Sequence, residues 1–189
     1  MKIVPRAFYN RSPELVAPAL LGKLLVRVLH SERLVGRISE VEAYLGEADP
    51  AAHTFIGETS RNAVLFGPPG YAYVYFIYGM YYCLNASCLP AGQPGGVLFR
   101  ALEPLEGLPT MARLRGLPAT AKPSLLTGGP GRLCKAFDIT RSEHNGLDLT
   151  SAASPLYIVE DGFTPGRIET TPRIGIRHAQ DRLLRFVAR

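Results

Sequence analysis

Acidic, imidazole and phenolic side chains concentrate in two short stretches of this 189-residue chain. The first is Ser39-Glu40-Val41-Glu42-Ala43-Tyr44-Leu45-Gly46, continuing to His53. The second runs from Tyr71 to Asn85 and carries seven aromatics in the twelve positions 71–82. A strand sends alternate side chains to opposite faces, so Glu40, Glu42 and Tyr44 share one face and Val41, Ala43 and Leu45 the other. Carboxylates at i and i+2 lie about 6.5–7 Å apart, the separation of an inverting glycosidase pair. Parallel neighbours on one strand cannot flank a scissile bond from opposite sides, however. That leaves one acid working alone as a general base on water, or a solvated strand face. Glu42, Asp49 and His53 lack the short-range spacing of a metal site, so no metal is expected. His53, taken alone, reads as a hydrogen-bonded structural histidine.

In Tyr71-Ala72-Tyr73-Val74-Tyr75-Phe76-Ile77-Tyr78 the alternation puts Tyr71, Tyr73 and Tyr75 on one face. A plain sheet core favours Val, Ile and Phe, because every buried phenol needs a hydrogen-bond partner. Stacked tyrosines suit a flat π-system such as a nucleobase, at about 1–3 kcal/mol per base. Tyr78-Gly79 falls at the expected hairpin apex, where an aromatic buries little unless something docks on it. A wedge replacing an extruded base is one such use. Amphipathic edge tyrosines are the plain alternative.

The elements that must position these residues are legible in outline. Ser12-Pro13-Glu14 reads as an N-cap, a first-turn proline and a first-turn acid, opening a helix that ends near Gly22, with Pro18 a possible break. Residues 23–29 and 34–45 read as a hairpin, as do 71–78 and 80–87 across Gly79, after the hard turn Gly67-Pro68-Pro69-Gly70. Residues 95–102 give a further strand; 106–114 and 131–137 read as helices. Short β runs follow at 156–159, 173–176 and 183–187. Successive hairpins with scattered helices predict an α+β single domain spanning 1–189, built on a mostly antiparallel sheet with surrounding α-helices.

The composition is that of a globular chain, 47% hydrophobic and 20% charged. It has no stretch of about 20 apolar residues. The N-terminus lacks signal-peptide features, and three cysteines suggest no disulfide framework, so a cytoplasmic protein is expected. Net charge is +5, with 17 Arg against four Lys. Arginine grips phosphate in a forked geometry, so the charge leans toward a polyanion; codon usage in a GC-rich genome yields the same bias.

Laid out in order, Glu42, His53, Tyr75, Tyr78, Asn85 and Arg100 make the chain resemble the alkyladenine (3-methyladenine) DNA glycosylases. The matching strings are Ser39 to Gly46, Ala51-Ala52-His53, Arg61-Asn62, Tyr73 to Asn85, Leu98 to Gly107, Gly128 to Leu133 and the closing Arg173-Ile174-Gly175 to Phe186. The likeness covers nearly the whole chain in the family's order.

The resemblance implies a monofunctional enzyme that flips a damaged purine from duplex DNA and hydrolyses its N-glycosidic bond. It implies Glu42 activating the water and Arg100 helping to position that water and a backbone phosphate. Tyr44 and Tyr75 would sandwich the base, with His53 closing the pocket and Ala51 lending backbone contacts. Asn85 would discriminate against the 2-amino group of guanine. Tyr78 would enter the duplex, with Met80 beside it on a protruding hairpin of a curved sheet. No metal or organic cofactor is implied. The implied partner is double-stranded DNA containing damaged purines, bound by a nucleoid-associated monomer. No lysine lies near these motifs, so no strand-nicking lyase step is expected. Glu40 is then structural.

The chain departs from the family at Ser60, where proline is usual before Arg61, and at Ile56-Gly57-Glu58, which replaces a more basic stretch. That loop bears on DNA affinity and lesion range. Two other readings use the same residues. A single-strand or RNA-binding module explains the tyrosines but leaves Glu42 idle. A small-molecule nucleoside or sugar hydrolase leaves Tyr78 idle.

Overall fold

The computed structural model describes residues 1–189. Strand β1 (Lys2–Ile3) and the turn-length helix α1 (Arg6–Tyr9) lead into α2 (Pro13–Leu20), where the Ser12 hydroxyl accepts from the Glu14 N–H at 3.4 Å. Gly22 follows with φ +84°, the left-handed conformation that ends a helix cheaply only at glycine. Pro18 sits inside α2 without ending it. Strands β2 (Leu24–Leu29) and β3 (Glu32–Tyr44) then form the expected hairpin.

After the loop 45–71 come β4 (Ala72–Ile77), β5 (Tyr81–Ser87) and the long β6 (Gly96–Glu106). Four helices follow: α3 (Leu108–Arg115), α4 (Pro123–Thr127), α5 (Pro130–Ala136) and α6 (Arg141–His144). The chain closes with β7 (Leu156–Glu160), β8 (Ile168–Thr171) and β9 (Arg185–Ala188).

All pairings between the strands are antiparallel, in the order β1-β7-β2-β3-β6-β5-β4, with β8 joined through β9 to β3. The 13-residue β3 is the hub. Its first half pairs with β2, while Glu40 to Glu42 pair with β9 and much of its length pairs with β6. The sheet therefore forks at β3 and curls, which confirms an α+β domain on a curved antiparallel sheet.

Alternation along the strands separates two environments. Val41, Ala43, Val74, Leu84, Val97 and Phe99 are fully buried with Val16, Leu20, Leu133 and Phe137 of α2 and the α5 region in the main core. Each such large side chain stabilises the fold by about 1.5–3 kcal/mol. The opposite face carries Glu42, Tyr73, Tyr75, Cys83, Asn85 and Leu98, several of which gather with Leu65 in a small second cluster.

One expected strand does not form. Residues 173–176 are irregular, because the Arg173 side chain is drawn inward to Asp49 and Gly175 has φ +77°. The Ile174 N–H goes to a carboxylate instead of a neighbouring strand.

Candidate active site

A row of residues paired across four strands forms the floor of the site. Glu42 on β3 faces Leu98 on β6, Leu98 faces Asn85 on β5, and Asn85 faces Tyr73 on β4. Directly paired residues share a face, so all four point the same way. Leu98, Asn85 and Tyr73 line a cavity of about 650 Å³. It is roomy enough for a purine nucleotide, since small-molecule sites span about 300–1,000 Å³.

At one end of the row are the acids and Arg100. The β3–β6 register slips twice near Glu40: Ile38 faces Leu102, Glu40 faces Ala101 and Val41 faces Phe99. Ser39 and Arg100 are thus the extra residues of two adjacent bulges, a device that re-aims a side chain. Arg100 is turned onto the acids, with Nε donating to Glu40 Oε1 at 3.0 Å and Nη1 lying 3.3 Å from Glu42 Oε1. Burial alone would lower the pKa of its guanidinium, but the Glu42 and Glu40 charges raise it overall, so it stays cationic. Glu40 also accepts from Arg185 Nε at 2.6 Å. Its carboxylate bridges two arginines on neighbouring strands, a structural task.

Glu42 is wholly buried, 0% exposed, and both of its carboxylate oxygens have a donor partner. Oε1 accepts the Ile174 N–H at 2.8 Å, and Oε2 accepts the Tyr44 hydroxyl at 2.8 Å. Burial, then the adjacent Glu42 charge, pushes the Tyr44 phenol far above its ordinary range, so this oxygen is a fixed O–H donor. Hydrogen bonds of this kind hold a carboxylate in a fixed orientation.

The aromatic wall stands at the other end. Tyr73 and Tyr75 are only 1% and 9% exposed, with ring centroids 5.5 Å apart. They form a packed wall, not an open stacking platform. The Tyr73 hydroxyl meets His53 Nδ1 at 3.0 Å, and the His53 ring stands edge-on to Tyr75 with centroids 4.4 Å apart. Desolvation, reinforced by the nearby Arg61 charge, lowers the His53 pKa below its ordinary 6.5, which leaves a neutral ring at the cavity mouth. Asn85 donates Nδ2–H to the Tyr73 carbonyl at 3.1 Å, fixing its amide in the floor.

The rim carries an exposed aromatic. Tyr78 and Gly79 occupy the β4–β5 turn with φ values of 54° and 68°, and Tyr78 is 77% exposed. Helix α5 abuts the hairpin closely: a Cβ on Gly131 would lie 2.8 Å from the Tyr81 ring, so only glycine fits without displacement. Arg132, Arg177 and His178 line the same cavity.

Seven residues expected at the site line this one cavity: Tyr44, Ala51, His53, Tyr75, Tyr78, Asn85 and Arg100. Glu42 lies behind Tyr44, Arg100 and Ile174, and exposed Met80, the last residue of the turn, lies outside the lining. Glu42, Asp49 and His53 belong to no cluster able to hold a metal ion. Sequence reasoning missed Arg173, whose guanidinium is buried against Asp49, and the Ile174 N–H on Glu42. Their only signal is an arginine in an apolar stretch far from its acid.

Residues 7–189 match the family model described as methylpurine-DNA glycosylase. The chain is 55% identical over 184 residues to a protein of Koribacter versatilis provisionally named a 3-methyladenine DNA glycosylase, covering 97% of this chain and 88% of that one. Similarly named proteins from Burkholderia cenocepacia and Methanocella arvoryzae are 50% and 49% identical, covering 95% and 98% of this chain and 84% and 90% of theirs. The chain therefore belongs to the methylpurine-DNA glycosylase family of DNA glycosylases.

Proposed function

We propose that this enzyme extrudes an alkylated purine from duplex DNA and hydrolyses its N-glycosidic bond with a water activated by Glu42. The observation that carries the reading is a fully buried carboxylate, held by Arg100, Tyr44 and the Ile174 N–H, beside a tyrosine-walled cavity whose rim bears an exposed aromatic.

Methylation at N3 or N7 makes a purine cationic and a good leaving group. The faces of Tyr44 and Tyr75 attract such a cation, and a neutral His53 does not repel it. The water forms a bond to C1′ as the C1′–N bond breaks. The electron pair departs with the base, and Glu42 takes the proton released by the water. Before that, the carboxylate offsets the positive charge growing on the sugar. Tyr44, Arg100 and Ile174, the groups in contact with Glu42, line the cavity that supplies the water in this proposal.

Tyr78 fills the gap that extrusion leaves in the stack, with Met80 beside it. The Asn85 amide opposes the 2-amino group of guanine, and Ala51 offers backbone contacts. The cavity lining contains no lysine, which supports hydrolysis without a Schiff-base lyase step. We expect 3-methyladenine to be the chief substrate, with 7-methylguanine, hypoxanthine and ethenoadenine as further candidates.

The test is incubation with duplexes carrying each lesion, followed by alkaline cleavage of abasic sites and chromatography of the released base. Lesion-dependent release of free base without strand nicking before alkali supports the proposal. Absence of release from every lesion duplex refutes it.

A further inference from the structure

A buried ion pair outside the proposed chemistry holds two walls of the cavity together. Arg173 donates from Nη2 to Asp49 Oδ1 at 2.9 Å and from Nη1 to Asp49 Oδ2 at 2.5 Å and the Ala43 carbonyl at 3.1 Å. Both side chains have no exposed surface. Asp49 in turn accepts from the Leu45 N–H at 3.2 Å and the Ala51 N–H at 3.1 Å. One carboxylate thus fixes the turn after Tyr44, the backbone of Ala51 and the arginine of a segment 124 residues away.

The consequences meet at Glu42. Residue 174 is the next peptide group, and its N–H is a donor to Oε1. The Arg173 guanidinium also lies 4.7 Å from the centroid of the Tyr44 ring. A ring has two faces. Arg173 takes no part in the cavity lining, so it occupies one face and leaves the other for a base.

We infer that Arg173 and Asp49 are positioning residues for base excision: their ion pair sets the Ile174 N–H on the Glu42 carboxylate and the Tyr44 ring against the base. Neither touches the cavity, so both act through Glu42 and Tyr44. The pairing also keeps the guanidinium charge behind Tyr44 neutralised, which protects the ring's attraction for a cationic base. The inference rests on the Glu42 role proposed above.

Two variants test it. Arg173→Lys keeps a cation opposite Asp49 but loses the planar fork. The double variant Asp49→Asn with Arg173→Gln keeps hydrogen-bonding groups and leaves no unpaired buried charge. Active sites are counted by titration with an abasic-site duplex, and single-turnover release of 3-methyladenine is measured across pH with wild type alongside. Loss of a hydrogen bond to a charged group predicts a fall of about tenfold or more in rate per active site. The acid limb of the rate profile should move to higher pH, while abasic-duplex affinity stays within about threefold of wild type. Unchanged rate and acid limb per active site overturn the inference. So does a rate loss that only tracks abasic affinity with the pH profile unmoved. Should wild type release no base, the Glu42 reading fails and takes the inference with it; active wild type beside fully active variants sinks the inference alone.

Discussion

The Tyr44 hydroxyl donates to Glu42 Oε2 at 2.8 Å, joining residues two apart on one strand face. The same tyrosine lines the cavity through its ring. Its two contributions separate in Tyr44→Phe, which keeps the stacking surface and removes the donor. A hydrogen bond to a charged group is worth about 1.5–3 kcal/mol, so single-turnover excision should fall about tenfold or more with lesion binding nearly unchanged. A wild-type rate in Tyr44→Phe would show that the ring alone matters.

Tyr78 has φ 54° at an exposed turn, a conformation that an L side chain adopts at a cost of about 1–2 kcal/mol. Asparagine and glycine suit this position far better. Tyr78→Asn should therefore stabilise the free protein by about 0.5–1 kcal/mol while reducing excision from duplex DNA. Urea unfolding at unchanged slope, paired with excision rates, checks both halves. A variant as active as wild type argues against the wedge.

His53 has a pKa held below 6.5 by desolvation and the Arg61 charge. Its ring is neutral above 6.5 and gains charge only as pH falls below that value. Release of a cationic base such as 7-methylguanine should therefore weaken on the acid side, and His53→Gln should remove part of that decline. Superimposable profiles for the two proteins contradict a pocket role for the imidazole charge.

Burial raises the Asp49 pKa, but hydrogen bonds from Arg173 and from the Leu45 and Ala51 N–H groups outweigh it and bring it below 3.8. A carboxyl depressed on folding contributes stability that is fully present above 3.8 and is lost as pH falls through the folded value. Asp49→Ala strands a buried guanidinium, so it should cost about 3–5 kcal/mol near neutrality. The deficit relative to wild type should shrink in acid, as urea unfolding at several pH values will show.

The legible parts of the molecule were those set by local periodicity. Alternation placed Val41 and Ala43 in the core and Glu42 on the other face, and the Ser12-Pro13 start of α2 was readable from capping chemistry. Arg100 belongs at a bulge that only strand pairing reveals, since no alternation in the β6 sequence marks an extra residue. The expected strand at 173–176 failed because a tertiary ion pair to Asp49 overrode β propensity. The seclusion of Glu42 also depends on Ile174, which no local pattern connects to it.

Glu42→Gln gives the most direct measurement of the central claim. The amide keeps the shape of the side chain but has no carboxylate to take a proton from water. Single-turnover release of 3-methyladenine should fall by about two orders of magnitude or more, within the range of general-base contributions, while lesion and abasic duplexes still bind. Excision by Glu42→Gln at the wild-type rate would contradict the account.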